Sequence, residues 1–315
     1  MAVAGHPWDV IVVGAGSAGA ALAARLAGRQ RVLWLERSRQ SGSARRQPAI
    51  GESLPGAAAR LLQHFGVYGR FLADGHPLRG ASVSCWDQES PVWFDAFRDP
   101  CGPGWHLRRE AYEGSFRKAA LAAGATLVQP CGPLRIQRQA GIWQVAAPRL
   151  QQCFEAPVLV DATGRAGAVA RLLGLRRQVE EPLLCLHLRL PASVVATIAP
   201  EDRCTRVCAD RQGWWYSVPL PDGDRLLALH LDPADPACGR LLRSDQLLER
   251  ARSLPLLAEV LPRSMHRLPV QACRASGSAL QDHNLQGFYA IGDASISFDP
   301  IASQGSVSYT HLTLP

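Results

Sequence analysis

Hydrophobic positions along the chain fall into short unbroken runs separated by glycine-rich or charged corners. Val10–Val13 is four β-branched residues with no polar position between them, the pattern of a strand covered on both faces. The segment that follows, "SAGAALAARLA", is small and helix-forming, and Gly28 stands where a C-cap would close it. A second apolar run at 31–35 ends in Glu36. Residues 157–161 ("PVLVD") and 288–291 ("FYAI") repeat the short buried-strand pattern. Between them, 213–232 ("GWWYSVPLPDGDRLLALHLD") reads as a hairpin around a Pro-Asp-Gly-Asp turn. On a helix from 109 onward, Tyr112, Phe116, Ala119, Ala120 and Ala123 share one face and Lys118 points to water. A further helix is expected at 241–252, and "TLVQPCGPLRIQRQAGIWQVAA" (126–147) reads as a β-meander.

These elements predict an α/β fold, α+β overall. A Rossmann-like domain with a parallel sheet occupies 1–80, 101–172 and 268–306, and a smaller, mostly antiparallel sheet domain for substrate occupies 81–100 and 173–267. No internal repeat, low-complexity tract or linker interrupts it.

The chemistry starts at the first corner. Gly14 permits a tight turn, Gly16 lets the backbone approach a pyrophosphate, and Gly19 lets helix and strand pack closely. Pyrophosphate then rests on the positive end of the helix. Glu36, 22 positions after Gly14, is spaced to bind an adenosine ribose and would repel a ribose 2′-phosphate. Arg37 beside it joins the cofactor-binding set. This fingerprint alone leaves NAD and FAD open.

The far end of the chain decides between them. "GFYAIGDASISFDPIASQG" and "PVLVDATGR", taken with the first forty residues, resemble the FAD-binding flavoproteins of the two-domain monooxygenase type. The resemblance implies that Gly292 and Asp293 hold the ribityl chain of a flavin. It implies too that the segment with Asp299, Pro300, Ser303 and Gly305 starts a helix aimed at the isoalloxazine. Such a helix end suits a flavin, because the reduced ring carries negative charge that free N–H groups stabilise. The last residues, 307–315, do not continue that helix; they are read as a non-native tail, with native C-terminal helices missing after residue 306.

Three more segments narrow the resemblance. "IGESLPGAAARLLQHFGV" (50–67) is similar to a segment of flavin-dependent halogenases and places Glu52 and Ser53 beside the flavin, or at a helix N-cap. "GWHLRREAYEGS" matches a flavoprotein helix whose leading Arg109 reaches the cofactor, although Arg108 replaces the family's usual Asp. Trp214-x-Tyr216-x-Val218-Pro219 resembles a halogenase substrate-side motif. Residues 8–306 together resemble the flavin-dependent halogenase and monooxygenase superfamily, closest to the flavoprotein maturases of quinone-cofactor lysine and glycine oxidases. Those halogenases carry a Lys shortly after the 50–67 segment; here that interval has none, so halogenation is disfavoured.

The resemblance implies an FAD-dependent, monooxygenase-like oxidoreductase that uses reduced flavin and O₂ on an aromatic group. The substrate is either a small aromatic molecule or a Trp side chain within a partner oxidase precursor. Without a second dinucleotide fingerprint, electrons come from NAD(P)H bound transiently or from an external reductase. A flavin-dependent reductase of a lipid or polyene, and a cofactor-poor assembly factor, are the alternatives. No residue is assigned a catalytic role.

Composition removes other classes. The net charge of +7 comes from 33 Arg and the single Lys118, scattered with no basic run, so a nucleic-acid surface is not expected. No apolar run is long enough to cross a bilayer, no signal peptide is read, and the expected compartment is the cytoplasm. Nine Cys without a CxxC are expected as reduced, mostly buried thiols, with no metal site. Trp86, Trp93, Trp105, Trp214 and Trp215 are candidates for an aromatic pocket, against a core role for most. His106 is expected to be structural.

Overall fold

The computed structural model describes residues 7–38, 53–86, 90–263, 265, 267–281 and 284–302. Strand β1 (Val10–Val13) runs into helix α1 (Ser17–Leu26) and returns as β2 (Val32–Leu35), parallel to β1. A short strand β3 (Ser53–Leu54) precedes helices α2 (Ala58–His64) and α3 (Tyr68–Ala73). Next come β4 (Ser82–Cys85) and β5 (Val92–Phe94), and then β6 (Trp105–His106), α4 (Arg109–Ala122) and β7 (Thr126–Val128). Strands β8 (Arg135–Gln139), β9 (Ile142–Ala147) and β10 (Gln152–Ala156) form an antiparallel meander.

The central parallel sheet has the order β19-β11-β1-β2-β7, where β11 is Val158–Asp161 and β19 is Phe288–Ala290. Alternation along each strand explains why the runs are apolar throughout. Val10, Val12, Val32 and Trp34 face α1 and α4, while Ile11, Val13, Leu33 and Leu35 face the meander with Trp143 and Val145.

After β11 come α5 (Ala168–Leu172), β12 (Arg177–Val179), β13 (Leu184–Leu190), α6 (Ala192–Ile198), β14 (Thr205–Asp210), β15 (Gly213–Pro219) and β16 (Arg225–Leu231). Helices α7 (Cys238–Leu241), α8 (Ser244–Arg252) and α9 (Pro255–Ala258) follow, then β17 (Gln271–Arg274), β18 (Ser278–Leu280) and, beyond β19, β20 (Ile296–Ser297). A second sheet has seven strands in the order β17-β13-β16-β15-β14-β4-β5. Every neighbouring pair in it is antiparallel except β14 with β4. One face, with Leu186, Leu188, Trp215, Leu227 and Leu229, packs on α8 and α9 through Leu247, Leu248 and Leu257.

Three local expectations change. The single helix at 241–252 is two helices, because Arg243 is extended between them and pairs with Pro269. Gly28 is not the cap of α1: Ala27 holds that position, and the Leu26 carbonyl closes the turn by accepting from Arg29 and Gln30. The 126–147 stretch is divided, since β7 joins the parallel sheet and the meander proper is β8–β10.

The second sheet also holds a buried ionic knot. Arg225, fully buried, donates to Asp202 and, at 3.1 Å, to the Ser217 hydroxyl, while Arg206 donates to the same carboxylate at 2.6 Å. Burial pushes the Asp202 carboxyl up, but the two guanidiniums outweigh it and hold the group below its ordinary range. A depressed carboxyl stabilises the fold above its ordinary pKa and loses that contribution as pH falls. Asp202→Ala should therefore lower the unfolding free energy at neutral pH by about 3–5 kcal/mol, because it strands a buried cation. Urea midpoints for the wild type and Asp202→Ala at pH 7 and about pH 3 check this, with the gap between them shrinking in acid.

Candidate functional site

The turn between β1 and α1 is shaped by what its glycines exclude. Gly14 has φ +110°, and a Cβ there would sit 2.3 Å from the Ala162 carbonyl oxygen. A Cβ on Gly19 would lie 2.0 Å from the Gly14 carbonyl. A Cβ on Gly16, by contrast, would meet nothing within 4 Å. Gly16 is the N-cap of α1 and no side chain caps the helix, so no side chain takes up its first-turn N–H groups. The Trp34 indole donates to the Gly14 carbonyl at 2.8 Å and fixes the turn from the side. Glu36 ends β2 at its mouth: Oε2 accepts the Ala15 N–H at 2.9 Å, and Oε1 accepts from the Ser38 hydroxyl, also at 2.9 Å. A carboxylate has further lone pairs for a ribose hydroxyl. Arg37 beside it is exposed.

The second motif meets the first directly. Gly292 has φ +56° and sits so near α1 that a Cβ on it would be 3.0 Å from the Ala18 Cβ. Two arginines that sequence reasoning did not single out hold the Gly292–Ala294 turn. Arg165, in the loop after β11, pairs with Asp293 at 3.7 Å and donates to the carbonyls of Ser276 and Phe298 at 2.9 and 2.8 Å. Arg177, on β12, donates to the carbonyls of Ala294 and Asp293 and to the Ser278 hydroxyl. Their signal was available only as the Arg of "DATGR" and one member of an Arg pair. Asp161 anchors that loop by accepting from the Thr163 hydroxyl and the Ala170 N–H. Pro300 opens one turn, Pro300–Ala302, capped by Asp299 Oδ1 on the Ile301 N–H at 2.9 Å. Glu52, Ser303, Gly305 and the tail at 307–315 lie outside the described residues.

The opposite face of the seven-stranded sheet, itself largely buried, carries the expected aromatic motif in two cross-strand rows. Trp214, His230, Cys185 and Cys273 lie opposite one another across β15, β16, β13 and β17. Tyr216, Ala228, His187 and Gln271 form the next row on that face. Trp214 stacks on His230 with centroids 3.7 Å apart. Burial drops the His230 imidazole to about 3, so it is neutral at physiological pH. Cys185 and His187 beside it hold the Cys273 thiol down at about 5, while its contact with Cys273 and then burial push the Cys185 thiol up.

The remaining candidates are not brought together there. Ser53 Oγ lies 3.1 Å from Nδ1 of the buried His106, whose Nε2 is 3.1 Å from the Arg203 carbonyl, so both ring nitrogens have partners. Arg109 Nε donates to Glu113 within α4 at 2.7 Å. The five tryptophans do not share one pocket. Trp105 and Trp215 are core, Trp214 lies on the sheet face opposite Trp215, and Trp86 and Trp93 are exposed. Three cysteines are buried, four half-buried and two exposed, all of them free thiols. A cleft of about 760 Å³ opens beside the Arg165 loop, with Arg171, Arg177 and Arg274 on its polar wall; neither the first glycine turn nor Glu36 lines it.

No family model matches the chain. Solved structures place its fold. CndH, a myxobacterial FAD-dependent halogenase, superposes with a TM-score of 0.76 at 20% identity, covering 96% of this chain and 72% of that one. QhpG, a peptidyl tryptophan dihydroxylase essential for tryptophylquinone cofactor biogenesis, superposes with a TM-score of 0.71 at 22% identity, covering 96% of this chain and 64% of its own. The chain has the fold of the flavin-dependent halogenase and monooxygenase superfamily. Along its sequence it is similar to LodB of Marinomonas mediterranea, named as an FAD-dependent oxidoreductase, with 24% identity over 318 residues that span 95% of this chain and 80% of LodB.

The three glycines of the first turn separate fold from ligand space. Gly19→Ala drives a methyl into backbone and should cost about 1–3 kcal/mol of stability. Gly16→Ala, with φ −74° and open space, should stay within about 0.5 kcal/mol of wild type. Denaturant melts of the two variants side by side test the contrast.

Proposed function

We propose that the chain is an FAD-dependent oxidoreductase of monooxygenase type that acts on an aromatic group, with a protein-borne tryptophan as the preferred substrate. One observation carries the reading: three segments far apart in sequence, 14–19, 161–163 and 292–293, converge on the uncapped start of α1. The first-turn N–H groups and the space beside Gly16 suit a pyrophosphate, and Glu36 suits the ribose. Asp293 offers a carboxylate to the ribityl chain. Arg165 and Arg177 are positioning residues that fix the Asp293 turn through its carbonyls and its side chain. When bound, the flavin supplies electron transfer and activation of O₂. Half-buried Trp214 and Tyr216 offer their aromatic surface on this sheet face to the substrate. His230, neutral and buried, orients Trp214 by stacking and is no proton donor near pH 7. The chain's single lysine, Lys118, lies exposed on α4, which speaks against halogenation.

A protein substrate is favoured over a small molecule by the edge of the second sheet. Trp93, Phe94 and Phe97 are 58%, 52% and 74% exposed at the edge strand β5 and the turn after it. An edge strand flanked by exposed aromatic residues suits another polypeptide better than water.

Incubation of the purified chain with FAD should give a yellow protein whose visible bands bleach with NADH, NADPH or a flavin reductase and return in air. Gly16→Val should weaken flavin retention at least tenfold while remaining folded. A colourless protein that cannot be loaded would overturn the reading. Oxygen uptake by the loaded protein should rise with an amine oxidase precursor bearing an unmodified tryptophan and not with free tryptophan; the opposite ranking would assign a small aromatic substrate.

A further inference from the structure

The far ends of the two rows on this largely buried sheet face bring together three donors, two thiols and an imidazole, that the flavin reading does not use. Cys185 and His187 stand two residues apart on β13, so both side chains leave the same face. Cys273 stands opposite Cys185 on β17. The two sulfurs and an imidazole nitrogen all lie within 4.8 Å of one another. Cys185 is 1% and His187 4% exposed, so the group is sealed from bulk water on its inner side. His187 Nε2 lies 3.1 Å from Gln271 Oε1, and this contact places the ring proton on Nε2. Nδ1 is then a buried lone pair with no oxygen or nitrogen donor facing it, and the ring's other polar neighbour is the Cys273 thiol. An imidazole whose one nitrogen donates to a fixed oxygen while its other polar neighbour is a thiol is in the state a metal ligand needs.

We propose that Cys185, His187 and Cys273 form a binding site for a thiophilic divalent cation of the zinc class. Gln271 is its orienting outer partner, and the fourth position is left open. A tetrahedral zinc with Zn–S near 2.3 Å and Zn–N near 2.0–2.1 Å needs donor separations of about 3.6–3.8 Å. The present cluster reaches that by a contraction of about 1 Å, within the range of side-chain rotation. Two thiolates and one imidazole select zinc over calcium or magnesium, which take oxygen ligands. The bound ion ties the edge strand β17 to β13 beneath the row that ends in Trp214. Cys185 and Cys273 are 88 positions apart and leave no short motif, so the grouping exists only in the fold.

The test uses the purified chain, reduced and freed of metal with a chelator, with no flavin added so that its colour does not interfere. Titration with Co²⁺ should give thiolate-to-metal absorption that saturates near one ion per chain and is abolished by an equivalent of Zn²⁺. Cys273→Ser should remove the absorption. Gln271→Ala, which keeps all three ligands, should weaken Co²⁺ binding about 10–100-fold. Cys153→Ser, at an exposed thiol on β10, should leave it unchanged. Circular dichroism confirms that each variant is folded; Cys273→Ala serves if Cys273→Ser is not. Absence of a stoichiometric cobalt band, or a band that survives Cys273→Ser, would overturn the proposal. So would a Cys185–Cys273 disulfide found by peptide mapping in protein purified without reductant, which would assign the pair to redox chemistry.

Discussion

Everything in this fold leans on a contact too close for any side chain, the meeting of Gly14 and Gly19 with each other and with Ala162. Backbone carbonyls stand where Cβ atoms would be, and this nearness lets α1 lie against the parallel sheet at the angle that leaves its N-terminus open. The C-terminal end of β11 forms one side of the contact, and Gly292 after β19 abuts α1 at Ala18. Strand order puts β19, β11 and β1 side by side, so three loops that are remote in sequence emerge at one edge of the sheet. That is the general geometry of ligand sites in open parallel sheets, at the carboxyl ends of the strands.

Arginine does much of the tertiary work around this arrangement. Arg165 and Arg177 satisfy backbone carbonyls of residues 275, 276, 293, 294 and 298, which lie in turns between strands. Arg225 and Arg206 converge on Asp202, and Arg250 grips Asp210 through two bonds of 2.8 Å. A planar guanidinium with five donors can satisfy several carbonyls at once, which a lysine cannot. An Arg-rich chain with a single Lys thus carries structural bonds in places where basic charge read along the sequence looks like scattered surface.

Much of the fold was legible because its signals are local. Val10–Val13 and the 213–232 hairpin form the strands that their local pattern predicts, and Gly14 and Gly19 make the tight turn and close approach expected of them. What escaped depends on partners far away. The paired roles of Arg165 and Arg177, the partition of Trp214 and Trp215 to opposite faces, and the Cys185–His187–Cys273 group come from strand register, which no window of sequence contains. The break at Arg243 escaped for the same reason, because its extended backbone is held by Pro269 on a distant segment.

The two cross-strand rows have a consequence for how such a chain can diverge. Within β15 alternate residues share a face: half-buried Trp214 and Tyr216 lie on one with buried Val218, while Trp215 and Ser217 lie buried on the other. An insertion of one residue before Trp214 would do something different in kind: it would turn Trp215 and Ser217 outward and bury Trp214 and Tyr216. Length changes in the 211–212 and 220–224 turns leave the strand parity untouched. Descendants of this fold are therefore free to exchange side chains along the rows but not to shift them, and new specificities must arise by replacement rather than by slippage.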